Sequence, residues 1–91
     1  MKLRYTLPAR FELEAVLEYL AGHSPQGAAN VQRRIKAVTE LLLKHPFIGA
    51  ATSEPGIRRV AVNPYPYVNF YEPLDDEIVI HSIRHGARKS N

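Results

Sequence analysis

The spacing of hydrophobic and polar positions divides the chain into a helical first half and a second half with a period of two. Lys2–Leu7 alternates Leu3, Tyr5 and Leu7 with Lys2, Arg4 and Thr6, which predicts a half-buried strand. Pro8 cannot join a ladder and suits the first turn of a helix. From Ala9 to about Gly22, Leu13, Val16, Leu17 and Leu20 follow the i, i+3, i+4, i+7 pattern, while Glu12, Glu14 and Glu18 fall mostly outside it. Ser24-Pro25 reads as an N-cap and first helical position. The helix that follows runs to about Lys44. Its stripe of Ala28, Val31, Ile35, Val38 and Leu42 lies opposite Gln32, Arg33, Lys36 and Glu40. So short a link between two helices predicts an antiparallel hairpin.

His45-Pro46 ends the second helix, and Phe47–Gly56 reads as a loop. Three strands are expected next, at Ile57–Val62, Pro66–Glu72 and Glu77–His85, with Asn63–Pro66 and Pro73–Asp76 as turns. Short turns imply antiparallel neighbours. The predicted fold is a two-layer α+β domain spanning 1–91. In it a helical hairpin packs on a small antiparallel sheet in the order β-α-α-β-β-β. The expected core comprises Leu13, Val16, Leu17, Leu20, Val31, Ile35, Val38, Leu42, Val60, Val68, Phe70 and Ile80. Alternation then turns Val68 and Phe70 toward the helices and Tyr67, Asn69 and Tyr71 away from them. The two tyrosines would either cover the open sheet or meet a ligand.

Composition narrows the chemistry. The 91 residues include no cysteine, which excludes disulfides, zinc–thiolate sites, iron–sulfur clusters and thiol catalysis. No apolar run is long enough for a transmembrane helix and no secretion signal is visible, so a cytoplasmic protein is expected. The net charge of +3 is modest, but its placement is uneven. From His81 onward there are Arg84, Arg88, Lys89 and two histidines with no acid, a patch suited to an anionic partner.

Of the four histidines only His81 and His85 share a predicted strand face, and at roughly 13 Å apart they cannot share one metal ion. The serines lack a nucleophile-elbow context, and the five scattered glycines form no phosphate loop. No metal or cofactor is expected. Basic residues at the strand ends carry more information. In an antiparallel order Arg58 or Arg59 can collect with Arg84, His85 and Arg88 at one end of the sheet. Guanidiniums there would grip phosphate or carboxylate, and a histidine would exchange protons. The alternative is that these are solvated charges at strand ends.

The run Ile57-Arg58-Arg59-Val60-Ala61-Val62, the strand Tyr65-Pro66-Tyr67-Val68-Asn69-Phe70-Tyr71-Glu72, Asp75-Asp76-Glu77-Ile78 and Ile83-Arg84-His85-Gly86-Ala87-Arg88 together resemble the ParE/RelE superfamily. Its members are toxins of type II toxin–antitoxin modules, often described as plasmid stabilisation proteins. The two helices and the Pro46-Phe47-Ile48-Gly49 loop stand in the same order, so the resemblance covers nearly the whole chain. It implies a ParD-like antitoxin partner in a hetero-oligomer, and one of two activities. ParE-like members inhibit DNA gyrase by protein contact, whereas RelE-like members cleave messenger RNA on the ribosome. The strands at Ile57–Val62, Pro66–Glu72 and Glu77–His85 carry no lysine and the last tyrosine is Tyr71, absences that favour the gyrase reading. In the nuclease alternative His85 with Arg84 is the catalytic pair, and Arg58 and Arg59 help hold the phosphate. A degenerate toxin that only binds its antitoxin is a third possibility. The chain departs from the family at Asn69 and His81, where apolar residues are usual, and at Ala50 and Ser82, where basic ones are.

Overall fold

A computed structural model describes residues 1–86. The elements are β1 (Lys2–Tyr5), α1 (Leu7–His23), α2 (Pro25–Lys44), β2 (Ala50–Ala51), β3 (Arg58–Ala61), β4 (Tyr67–Pro73) and β5 (Glu77–His85). Both helices start on hydroxyl caps followed by proline. Thr6 Oγ1 accepts from the Ala9 N–H at 3.2 Å, and Ser24 Oγ accepts from the Gly27 N–H at 3.0 Å. Ser24 also ends α1, where its N–H donates to the Leu20 carbonyl, so one residue makes the whole hairpin turn.

The sheet order is β1-β5-β4-β3-β2. The three expected strands are antiparallel, but β1 pairs parallel to β5, with Leu3 beside Ile78 and Tyr5 beside Ile80. The sheet is therefore mixed, and the two-residue strand β2 extends it inside what the sequence reads as loop. The helical hairpin carries the chain from β1 to the opposite edge at β2, and the antiparallel run from β2 to β5 returns it beside β1.

The helices cover one face. Ala9, Leu42, Tyr71, Ile78, Ile80 and Ile83 form one buried cluster, and Val31, Ile35, Val38, Val62 and Tyr67 form a second. Leu13, Val16, Leu17, Leu20 and Val60 are partly buried against these clusters. The expected phase of β4 is corrected. Tyr67, Asn69 and Tyr71 point toward the helices, while Phe70 and Glu72 line the opposite, open face; Val68 shares their phase but is buried, as expected, at 7% exposure. Phe70 is only half-buried. The inward tyrosine is accommodated because its hydroxyl is satisfied. Tyr71 Oη donates to the Pro46 carbonyl at 2.8 Å and accepts from the Gly49 N–H at 2.9 Å. Gly49 has no room for a side chain there, since a Cβ would lie 2.6 Å from the Arg59 carbonyl and 2.7 Å from Tyr71 Oη.

β5 keeps its isoleucines inside by a bulge. Tyr71 pairs with Ile80 but Phe70 pairs with Ser82, leaving His81 as the extra residue. The bulge shifts the inward phase from Ile78 and Ile80 to Ile83, and turns His81 and Ser82 together to the open face.

Candidate functional site

β3, β4 and β5 place three side chains side by side on the open face. Arg59 stands opposite Phe70 in the β3–β4 register, and Ser82 stands opposite it on β5. The Arg59 and Arg84 guanidinium carbons lie 6.0 and 5.8 Å from the centre of the Phe70 ring. Among the described residues the ion pairs are Arg4–Glu77 and His81–Glu72, so neither Arg59 nor Arg84 has a carboxylate within ion-pair distance.

Arg84 is nonetheless oriented. Its Nε donates to Ser82 Oγ at 2.9 Å, and Ser82 Oγ donates to Glu12 Oε1 at 3.0 Å. The same carboxylate oxygen accepts the Ile83 N–H at 2.9 Å. That N–H is free because β1 ends at Tyr5, opposite Ile80, and leaves the outer edge of β5 unpaired beyond it. Glu12, on the first turns of α1, fills the gap. The open face is hollowed beside Phe70 into a depression of about 540 Å³, walled by Thr52–Pro55, Glu72, His81, Ser82 and Arg84. On its floor His81 Nε2 lies 3.0 Å from Glu72 Oε1.

The sheet separates the sequence-predicted basic residues. Arg59 and Arg84 meet on the open face. Arg58 lies on the helix side, and one of its terminal nitrogens donates to the carbonyls of Phe47 at 3.3 Å and Gly49 at 2.7 Å, with its charge 5.1 Å from the Phe47 ring centre. Arg58 thus ties down the loop after α2, and of the two arginines it is Arg59 that joins Arg84. Consecutive strand residues point to opposite faces, and that rule alone divides the pair. His85 also lies on the helix side, edge-on to Tyr67 with ring centres 5.7 Å apart. Arg88 lies outside the described residues. The sequence reading missed Glu12, Phe70, Glu72, His81 and Ser82 at this site. One signal was available: Glu72 shares its strand phase with Phe70 and Val68, and an acid at that phase marks the solvent side.

The comparisons place these features in a family. Residues 3–90 match the model of the ParE toxin of type II toxin–antitoxin systems, parDE. Toxin RelE2 of Caulobacter vibrioides is 32% identical over 84 residues, covering 92% of this chain and 93% of that protein. A chain of the chromosomal ParDE system from P. aeruginosa superposes with a TM-score of 0.78 at 23% identity, over 93% of this chain and 95% of that one. A chain of the E. coli DinJ-YafQ complex superposes with a TM-score of 0.66 at 14% identity, over 93% of this chain and 92% of that one. The last two share the fold. Matched along nearly its whole length, this chain belongs to the ParE toxin family of type II toxin–antitoxin systems.

Proposed function

We propose that the protein arrests growth by protein–protein contact with DNA gyrase, that Arg59 and Arg84 make that contact, and that a ParD-like antitoxin holds it inactive in a hetero-oligomer. The supporting observation is the division of Arg84 from His85. A nuclease that used this pair would need the guanidinium on the phosphate and the imidazole on the adjacent 2′-hydroxyl. Arg84 stands by Phe70 on the open face, and His85 stands against Tyr67 on the other. A face with unpaired guanidiniums and no adjacent proton-transfer partner from His85 suits adhesion to an acidic protein surface. The reading places the protein in the cytoplasm. In keeping with this, no helix among the described residues is long and apolar enough to cross a membrane.

One observation favours a second reading, ribosome-dependent cleavage of messenger RNA. The His81–Glu72 pair lies in the same depression as Arg84, where a histidine oriented by a carboxylate would serve as acid or base. Purified toxin assayed for inhibition of gyrase supercoiling and for cleavage on programmed ribosomes separates the two. Gyrase inhibition relieved by antitoxin, with intact message, is the expected result. Message cleavage lost in His81→Gln would replace the first reading with the second.

A further inference from the structure

We propose that the depression on the open face is a binding site for a nucleoside monophosphate. The inference does not rest on the gyrase reading, since it concerns what the isolated chain binds. Its size is the first argument. About 540 Å³ lies within the range of small-molecule sites, and a single nucleotide fits such a space.

The distribution of chemistry is the second argument. At one end the Arg84 guanidinium is fixed through Nε to Ser82, and its terminal N–H groups have no partner among the described residues; Arg59, outside the lining, stands across from Phe70 with no acid partner among the described residues. The Arg84 fork matches the oxygens of a phosphate monoester, and Arg59 adds positive charge beside the lining. The part of the half-buried Phe70 ring that lines the depression offers an apolar surface for the edge of a base. Toward the other end the wall changes character, to Glu54, Glu72 with His81, and the Ser53 hydroxyl. Carboxylates there accept hydrogen bonds from ribose hydroxyls or an exocyclic amine, and they repel a second phosphate. A polynucleotide strand would carry its next phosphate into those acids, whereas one nucleotide places its charge and its donors where each is met.

The third argument is that the cationic end is built in advance. Glu12 holds Ser82, and Ser82 holds Arg84, so the long arginine side chain is ordered before a ligand arrives. Pre-ordering removes part of the entropy cost of binding. Ser82 and Glu12 are therefore positioning residues for Arg84.

Titration of the full chain by calorimetry with adenosine monophosphate, adenosine, inorganic phosphate and a short single-stranded oligonucleotide tests the site. Adenosine monophosphate is expected to bind most tightly of the four. Arg84→Gln, shown folded by circular dichroism, should weaken it by about tenfold or more, and Arg59→Gln, beside the lining, by less. Glu72→Gln should weaken the nucleotide and leave inorganic phosphate unchanged. Ser82→Ala should weaken the nucleotide and shift the Arg84 Nε–H resonance in the free protein, and Ser82→Thr should restore both. Several outcomes would overturn the proposal: no nucleotide binding, inorganic phosphate or adenosine binding as well as the nucleotide, tighter binding of the oligonucleotide, or indifference to Arg84→Gln. Nucleotide binding without gyrase inhibition would leave this site standing and remove the gyrase reading. The converse result would do the opposite.

Discussion

Arg84 and His85 are neighbours in β5 yet occupy opposite sides of the sheet, the first 5.8 Å from the Phe70 ring centre and the second edge-on to Tyr67. Their roles should separate accordingly. Arg84→Gln is expected to relieve growth arrest on induction while the purified protein keeps its helix signal. His85→Gln should give only partial relief, because it removes a peripheral contact. Full relief by His85→Gln with Arg84→Gln still toxic would reverse the assignment.

Arg58 should behave as a structural residue. Its guanidinium bridges the Phe47 and Gly49 carbonyls, and hydrogen bonds to a charged group contribute about 1.5–3 kcal/mol. Arg58→Ala should lower stability by that order in urea unfolding. Arg58→Lys should recover only part of it, since an ammonium lacks the planar fork. Loss of toxicity in Arg58→Ala with unchanged stability would assign Arg58 to the target contact instead.

Asn69 is fully buried, and neither its side-chain oxygen nor its nitrogen has a hydrogen-bond partner among the described residues. An unsatisfied buried amide costs about 1–3 kcal/mol. Asn69→Leu, of similar shape, should raise stability by that order and shift the urea midpoint upward at constant slope. A lower midpoint would show that the amide is satisfied in solution.

Alkaline pH should unfold the protein through two phenols. Burial pushes Tyr5 and Tyr71 above the ordinary value of 10.0, and at Tyr71 the Gly49 N–H and the Arg58 charge oppose the shift in part. A raised folded-state value favours the neutral form. The stabilisation is thus complete below pH 10 and disappears as pH rises through the folded-state value. Tyrosinate absorbance from these two residues, isolated with Tyr5→Phe and Tyr71→Phe, should rise only above pH 10 and together with loss of helix signal. Earlier ionisation with the fold intact would contradict this.

Phe70→Ala should cost well under the 3–5 kcal/mol typical of a buried phenylalanine, because its ring is half-exposed beside Arg59 and Arg84. A loss of 3 kcal/mol or more in urea unfolding would restore Phe70 to the core.

The misplacement of Phe70 shows where the sequence stopped being informative. Local signals were legible: Ser24-Pro25 starts α2, Val31, Ile35, Val38 and Leu42 are buried at helical spacing, and β5 spans Glu77–His85. Side-chain hydrophobicity misled at β4. There Val68 and Phe70 look more apolar than Tyr67, Asn69 and Tyr71, yet the latter three go inside. Tyr71 is admitted by partners on a loop 22 and 25 residues away, which no local window contains. The bulge at His81 was equally invisible, because the inward phase of β5 shifts only through its pairing with β4. The site inherited both errors. Its residues come from α1, the β2–β3 loop and three strands, and only the register brings them together.

The parallel pairing of β1 with β5 has a consequence for synthesis. Lys2–Tyr5 finds its partner only in Glu77–Ile80, and β5 also supplies three isoleucines to the first buried cluster. Such long-range closure is slow and comes late. A nascent chain lacking β5 has an unfinished core, an unpaired first strand and no Arg84. On a ribosome the open face that carries Arg84 therefore cannot be assembled until translation has passed His85.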